Sequence, residues 1–194
     1  MPRIIAGYDV ESTGLDWAAG HRLIEVAAVL YDLDSGKRLG QYVQRVNPQR
    51  SIDPDAQRVH GITFDVLAHE PTWEKVAPNL AHVLSKCDYV VAHNGIGFDF
   101  PFTAHEFQRV GVAVPKFEAI DTCADARWAT PLGKLPNLGE LAFACGVEYD
   151  PDQAHAALYD VEVMMKAYFA ARAMGFFGPA NITPVPAILE EVAA

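Results

Sequence analysis

Residues 4–14 read IIAGYDVESTG, an apolar run that ends in two acidic residues, Asp9 and Glu11. Short apolar segments that contain Ile and Tyr and are followed by Ser, Thr and Gly are typical of β-strands. Side chains alternate along a strand, so Asp9 and Glu11 are predicted to share one face. Neighbouring carboxylates repel each other, and burial strengthens the repulsion. Two explanations are open. A divalent cation such as Mg²⁺ or Mn²⁺ binds between the carboxylates and relieves the repulsion, or the end of the strand is exposed to solvent.

Length and composition are those of one domain with a substantial core. The chain has 194 residues, of which 51% are hydrophobic, and no apolar run is long enough to span a bilayer. We therefore expect no membrane association. The N-terminus has no signal-peptide pattern, and the three cysteines are isolated in sequence. A reduced, cytoplasmic setting is expected, with Cys87, Cys123 and Cys145 as small core or near-core residues.

The chain is acidic, with 25 Asp and Glu against 15 Lys and Arg and a net charge of −10. Tight non-specific binding to duplex nucleic acid depends on Lys and Arg, so the charge argues against it. It does not exclude a nuclease that grips a few nucleotides through metal ions. Such an enzyme would hold its substrate weakly or receive it from a partner.

The order of predicted elements indicates a mixed α/β sheet. Three strands joined by short turns predict an antiparallel unit, and two later strands that alternate with helices predict a parallel addition. We expect three antiparallel strands and then two parallel strands, flanked by helices. The predicted strands are residues 3–11, 22–31, 38–46, 88–94 and 117–120, and the predicted helices are residues 54–59, 73–86, 100–110, 122–129, 137–145 and 154–174.

The expected organisation is a domain of residues 1–176 followed by a tail of residues 177–194. Gly175 is suited to end the last predicted helix. Beyond it the tail is expected to be irregular, because three prolines interrupt it, Pro179, Pro184 and Pro186.

A third carboxylate, Asp99, follows an apolar strand and a Gly-rich turn in the segment HNGIGFD, residues 93–99. Ligands tend to bind outside the carboxyl ends of parallel strands. Asp99 is therefore a candidate site residue. The alternative is an acid that is merely favoured by the dipole at a helix N-terminus.

His155 and Asp160 lie near the start of the last predicted helix. On a regular helix, side chains five residues apart point about 140° away from each other. The two can converge on one site only if His155 lies at or before the first helical residue. The irregular segment 150–152 makes such a start plausible, and the apolar neighbours of Asp160 are unusual for a solvated acid.

Together these motifs resemble the three exonuclease motifs of the DEDDh, or DnaQ-like, 3′–5′ exonucleases. The segment around His60 also resembles the one after the third strand in the proofreading (epsilon) subunit of bacterial DNA polymerase III. The resemblance covers residues 3 to about 174 and implies a ribonuclease H-like fold. Val10 and Ser12 stand where the family usually has Thr. The matching segments are residues 9–14, residues 94–99, residues 155–160 and residues 45–63.

The resemblance implies removal of nucleoside 5′-monophosphates from the 3′ end of single-stranded or frayed DNA, in proofreading or repair. It implies two divalent cations, Mg²⁺ or Mn²⁺, and a DNA polymerase subunit as a partner. His155 would take a proton from the attacking water. The implied metal ligands, which are also catalytic, are Asp9, Glu11, Asp99 and Asp160, and the implied substrate contacts are Thr13, Gly14, Leu15, Asp55, His60 and Asn94.

Three alternatives stay open on the sequence. The same five catalytic positions occur in RNA-trimming 3′–5′ exoribonucleases, so the motifs do not separate DNA from RNA. A different class is a non-catalytic nucleic-acid-binding domain on this fold, against which the complete set of four acids and a histidine argues. The third is a metal-dependent hydrolase of small phosphoesters.

Overall fold

The computed structural model describes residues 3–178 and 182–184 and contains a six-stranded mixed sheet. The strand order across the sheet is β3-β2-β1-β4-β5-β6. The strands are β1 (Ile4–Ser12), β2 (Leu23–Asp32), β3 (Arg38–Arg45), β4 (Tyr89–Ala92), β5 (Glu118–Asp121) and β6 (Ile182–Pro184).

The sheet confirms the predicted ribonuclease H-like arrangement and adds a strand to it. β1, β2 and β3 form an antiparallel meander in which Glu11 lies opposite Glu25, and Glu25 lies opposite Arg45. β4 runs parallel to β1, and β5 runs parallel to β4. β6 pairs antiparallel with β5 and was not predicted. The carboxyl ends of β1, β4 and β5 therefore meet at one edge of the sheet.

Helices cover both faces of the sheet. One face packs against α3 and α4, and the other packs against α5 and α6, so that two apolar cores lie on either side of β1. No helix among the described residues is both long and apolar enough to cross a membrane. The helices are α1 (Pro54–His60), α2 (Phe64–Leu67), α3 (Trp73–Leu84), α4 (Asp99–Arg109), α5 (Leu138–Ala144) and α6 (Ala157–Ala173).

Gly7 allows α6 to lie directly against β1. A Cβ atom at this position would be 2.4 Å from Met165 Cγ and 2.8 Å from Val161 Cγ1, both on α6. Any side chain larger than hydrogen would push the helix away from the strand, because interiors are close-packed. The same face of β1 carries Asp9 and Glu11 two and four residues further on. Gly7 therefore sets the distance between these acids and α6.

The predicted helix over residues 122–129 is wrong. The chain forms turns there and a single 3₁₀ turn, Arg127–Ala129. The Asp121 carboxylate accepts hydrogen bonds from the Cys123 N–H at 2.8 Å and the Ala124 N–H at 3.0 Å. A side chain that bonds to the next backbone N–H groups competes with helix formation. The short helix α2 was not predicted either.

The expected tail is only partly described. Its segment Ile182–Pro184 is not irregular, because it forms β6 at the edge of the sheet. Residues 179–181 and 185–194 lie outside the described residues. The division into a domain of residues 1–176 and a tail of residues 177–194 stays a prediction.

We predict that Gly7→Ala lowers the free energy of unfolding by about 1–3 kcal/mol, because the new methyl group overpacks the contact with Met165. Gly40→Ala in β3 is the matched control, since a Cβ there has no neighbour within 4 Å. The control should change stability by less than about 1 kcal/mol. Urea denaturation of both variants measures the difference. Equal stabilities would contradict the assigned contact between β1 and α6.

Candidate active site

Asp9 and Glu11 lie on the face of β1 that packs toward α6. Ile5 on the same face belongs to the apolar core against α6, whereas Tyr8 and Val10 belong to the core on the other face. Both carboxylates are partly buried. The alternation expected from the sequence thus places the two acids side by side at the carboxyl end of the central strand.

Asp99 is held against β1 by a backbone hydrogen bond. It is the first residue of α4 and is 3% exposed. Its Oδ1 accepts the Val10 N–H at 3.1 Å. The pairing of β1 with β4 ends at Gly7, so the Val10 N–H on that side is free to bind a side chain. Asp99 is therefore fixed between the positions of Asp9 and Glu11 along the strand.

Asp160 approaches from α6, and His155 lies ahead of that helix. α6 begins at Ala157, so His155 is two residues before it, as convergence of the pair requires. His155 has φ 65°, and its N–H donates to Asp160 Oδ2 at 2.8 Å. The other oxygen, Asp160 Oδ1, is buried without a hydrogen-bond partner among the described residues. The His155 side chain itself is exposed at the rim of the site.

Burial raises the pKa of all four carboxylates, and the charges of the neighbouring acids raise the pKa of Asp9 and Glu11 further. Burial and the charges of Asp160, Glu25 and Asp99 raise the pKa of Glu11 to about 9. Burial raises the pKa of Asp99 to about 7, although hydrogen bonds from its own N–H and from the Val10 N–H oppose the shift. The pKa of Asp9 lies well above its ordinary value because Asp9 is buried next to Asp99 and the other acids. Burial also raises the pKa of Asp160.

A fifth acid, Glu25, belongs to the same cluster and was missed in the sequence. It is 8% exposed and lies opposite Glu11 on the neighbouring strand. Arg45 on β3 binds it through Nε at 2.9 Å from Oε1. Like charges directly opposite each other destabilise a sheet, and the guanidinium offsets part of this repulsion. The sequence feature that could have indicated Glu25 is its position as a charged residue inside the apolar run LIEVAAV, residues 23–29.

The donor set fits hard divalent cations. Carboxylate oxygens are the ligands that Mg²⁺ and Mn²⁺ prefer, and one of them, Asp160 Oδ1, is buried and unpartnered. In the described part of the chain, no three His, Cys, Asp or Glu side chains are already arranged as a metal site. Carboxylates that repel one another need a cation before they draw together. The residues that could hold it are Asp9, Glu11, Asp99 and Asp160.

A cleft of about 460 Å³ lies beside the acids, and its volume is within the usual range for small-molecule sites. Four predicted substrate contacts line it, Gly14, Leu15, Asp55 and His60, together with Glu11, Ser12, Asp16, His21, Asp53, Ala56, Val59 and Phe98. The Leu15 side chain is 80% exposed, so an apolar surface is presented to the cleft. The cleft is therefore bordered by the acidic cluster and by apolar side chains.

His60 lines this cleft, and its ring is oriented by the backbone. Its Nδ1 accepts the Ile62 N–H at 3.0 Å, so the proton of the neutral ring is on Nε2. Burial lowers the pKa of His60, which favours that neutral form. Nε2 is buried and has no hydrogen-bond partner among the described residues. The Ser12 backbone acts in the opposite direction on the pKa of His60, so the ring lies close to the backbone at the end of β1.

Two predicted substrate contacts do not line the cleft. Thr13 is fully buried, and its N–H donates to Arg22 O at 2.8 Å. Asn94 is exposed in the turn before Asp99, with φ 66°, and its N–H donates to Asp121 Oδ1 at 3.0 Å. Asp121 also accepts the Ile96 N–H, and so it holds the turn that leads to Asp99. Asp121 was another residue missed in the sequence.

A ribonuclease H-like sheet with this acidic edge defines a nuclease-like protein, and the family comparison agrees. The family model described as Exonuclease matches residues 6–168, so the chain belongs to the exonuclease family. The DNA polymerase III subunit epsilon of Rickettsia felis is 32% identical over 166 residues, which are 82% of this chain and 70% of that protein. The 3′–5′ exonuclease DinG of Bacillus subtilis is 32% identical over 155 residues, 80% of this chain but 16% of DinG.

Solved structures show the same fold. Exonuclease X in complex with 5′ overhanging duplex DNA is 27% identical with a TM-score of 0.65, over 89% of this chain and 93% of that one. Escherichia coli exonuclease I in complex with a dA16 oligonucleotide is 19% identical with a TM-score of 0.75, over 88% of this chain and 41% of that one. The predictions of an exonuclease family member and of its fold are confirmed.

We predict that the metal-free protein loses stability as the pH rises from about 5 to about 8.5. In the folded state the pKa is about 7 for Asp99 and about 9 for Glu11, so these groups keep protons at pH values where the unfolded chain has released them. The free energy of unfolding therefore falls as the pH rises toward these values. Saturating Mg²⁺ should flatten this slope by replacing the protons. Thermal unfolding in EDTA and in Mg²⁺ measures both.

Glu11→Gln is the control for this titration. It removes one carboxyl group whose pKa is raised, so stability in EDTA should depend less steeply on pH. The same slope in EDTA and in Mg²⁺ would show that the cation does not bind at the acids.

Proposed function

We propose that this chain is a metal-dependent exonuclease that releases nucleoside 5′-monophosphates from the 3′ end of single-stranded or frayed DNA. The proposal rests on one observation. Asp9 is within electrostatic reach of Glu11, Asp99 and Asp160, which come from β1, α4 and α6, and Glu11 also lines the cleft. Mutually repelling buried carboxylates are typical of sites that bind cations. Membership of the exonuclease family supports the reaction class.

The four acids would hold two divalent cations. When bound, such a pair supplies an activated water and stabilises the charge on the attacking and leaving oxygens. The protein's contribution is to fix the acids. β1 places Asp9 and Glu11, the Val10 N–H orients Asp99, and the His155 N–H orients Asp160.

His155 would accept a proton from the attacking water. Histidine is the side chain that most often serves as a general base in catalysis. The backbone of His155 is left-handed, and its N–H donates to Asp160 Oδ2 at 2.8 Å, so the residue is held next to Asp160 while its side chain stays exposed. The ring is therefore at the rim of the acidic cluster, where a substrate phosphate would arrive.

The cleft would bind the terminal nucleotide. Leu15 and Phe98 offer apolar surface against which a base can pack, and the His60 ring lines the same cleft. Stacking and backbone contacts read no base edges, so little sequence preference is expected. Exonuclease X, the solved relative at 27% identity, was crystallised with DNA, which favours DNA over RNA for this chain.

The proposal includes a DNA polymerase subunit as partner and the cytoplasm as the compartment. Its support is the 32% identity to a DNA polymerase III epsilon subunit, of which this chain spans 70%. An acidic nuclease that grips DNA weakly is suited to a partner that delivers the 3′ end.

We predict that Asp9→Asn and Asp160→Asn each reduce turnover by about 10³-fold or more while the protein stays folded, because each removes a charge that holds the cations. Release of mononucleotides from a 5′-fluorescent single-stranded DNA oligomer in Mg²⁺ measures the loss. Asp34→Asn is the matched control, since Asp34 is exposed and forms an ion pair with Arg3, away from the acidic cluster. Wild-type turnover in either site variant would contradict the proposal.

We predict that the enzyme prefers DNA to RNA by about tenfold or more in kcat/KM, a difference of about 1.4 kcal/mol. Matched DNA and RNA oligomers, each with and without EDTA, measure the preference and the metal dependence. Faster hydrolysis of RNA would identify an exoribonuclease instead. Hydrolysis of a model nucleotide ester without hydrolysis of oligomers would identify a small-phosphoester hydrolase.

A further inference from the structure

His21 connects the two sides of the cleft. One side is the loop after β1, which contains Thr13 and Gly14, and the other is the start of α1 at Asp53. His21 Nδ1 is 3.0 Å from Thr13 Oγ1, and His21 Nε2 is 3.5 Å from Asp53 Oδ2. The His21 side chain is only 12% exposed. We name these three residues, Thr13, His21 and Asp53, the His21 bridge.

The His21 bridge contains one hydrogen bond, between Thr13 and His21, and one longer contact of 3.5 Å between His21 Nε2 and Asp53 Oδ2. Thr13 Oγ1 accepts the Arg22 N–H at 3.0 Å, so the hydroxyl proton of Thr13 is available to His21 Nδ1. With Nδ1 as an acceptor, the neutral ring carries its proton on Nε2, which faces the Asp53 carboxylate. The bridge therefore runs from a buried hydroxyl, through the imidazole, to a carboxylate on the opposite side of the cleft.

The contacts of Asp53 and Gly14 are both explained by the position of the His21 ring. Asp53 is the N-cap residue of α1, yet its side chain makes no capping hydrogen bond. Its carboxylate is instead directed to His21. At Gly14, a Cβ atom would lie 2.3 Å from His21 Cε1, although φ there is not in the left-handed region. Gly14 is therefore required by the His21 ring that lies on it and not by its own backbone conformation.

We propose that the His21 bridge holds the two sides of the cleft at the separation that accepts the 3′-terminal nucleotide, which makes His21 a positioning residue. This inference rests on the proposed function. The four acids are held independently of the bridge, by β1, α4 and α6. The Asp53 N–H also donates to Thr13 O at 3.0 Å, so loss of His21 removes the side-chain link between the two sides and leaves this backbone link. The less rigid cleft should bind the nucleotide more weakly and leave the chemical step nearly intact.

The first test is the kinetics of His21→Ala on single-stranded DNA in Mg²⁺. We expect KM to rise about tenfold while kcat stays within about threefold, the pattern of lost positioning without lost chemistry. His82→Ala, at an exposed position on α3, is the matched control and should leave both constants unchanged. A KM within about twofold of wild type, or a fall in kcat larger than the rise in KM, would overturn the inference.

The second test measures stability and needs no activity. Gly14→Ala should lower the melting temperature in the wild-type background, where the new methyl group meets the His21 ring. In the His21→Ala background the same change should have little effect, since the ring is gone. Equal effects in both backgrounds would show that His21 does not lie on Gly14 and would overturn the bridge. Failure of the proposed function is distinguishable, because wild-type protein would then release no mononucleotides.

Discussion

Mutual repulsion among buried carboxylates is the constraint on which the rest of this structure depends. At one edge of the sheet, burial raises the pKa of Asp9, Glu11, Asp99 and Asp160, and the charges of the neighbouring acids raise the pKa of Asp9 and Glu11 further. Such a cluster lowers the stability of the folded state, because each ionised acid repels the others. Divalent cations convert the repulsion into attraction. The unfavourable electrostatics of the metal-free protein and its proposed catalysis therefore have one physical origin.

The fold brings the acids together through features that do not depend on the acids themselves. Gly7 lets α6 lie against β1, and this contact sets the distance of Asp160 from the strand. The end of pairing between β1 and β4 frees the Val10 N–H for Asp99. Asp121 holds the turn before Asp99 through backbone N–H groups. Apolar packing and backbone hydrogen bonds thus stabilise an arrangement that electrostatics alone would disperse.

Much of this arrangement was predictable from the sequence, since it follows from periodicity. The alternation along residues 4–11 predicted that Asp9 and Glu11 share a face. The angle between positions five apart on a helix predicted that His155 and Asp160 converge only if His155 lies at or before the first helical residue. The helix, predicted from residue 154, begins at Ala157 and meets this condition. These inferences need only local geometry. The mixed sheet followed from the order and spacing of the elements.

What was missed depends on contacts between distant segments. Glu25 joins the acids only through the register of β1 and β2, and His21 meets Asp53 only after α1 folds over the loop. Neither pairing leaves a periodic signal in the sequence. The predicted helix over residues 122–129 was wrong because Asp121 bonds to its own backbone neighbours. The strand β6 is stabilised by pairing with β5, which a proline-containing segment does not indicate.

The most direct test of the central claim is a crystal structure of the wild-type protein soaked in Mn²⁺, with the anomalous signal of manganese used to locate the ions. We expect two anomalous peaks about 3.5–4 Å apart, ligated by Asp9, Glu11, Asp99 and Asp160. Peaks bound elsewhere on the molecule, in crystals of protein that retains its nuclease activity, would contradict it.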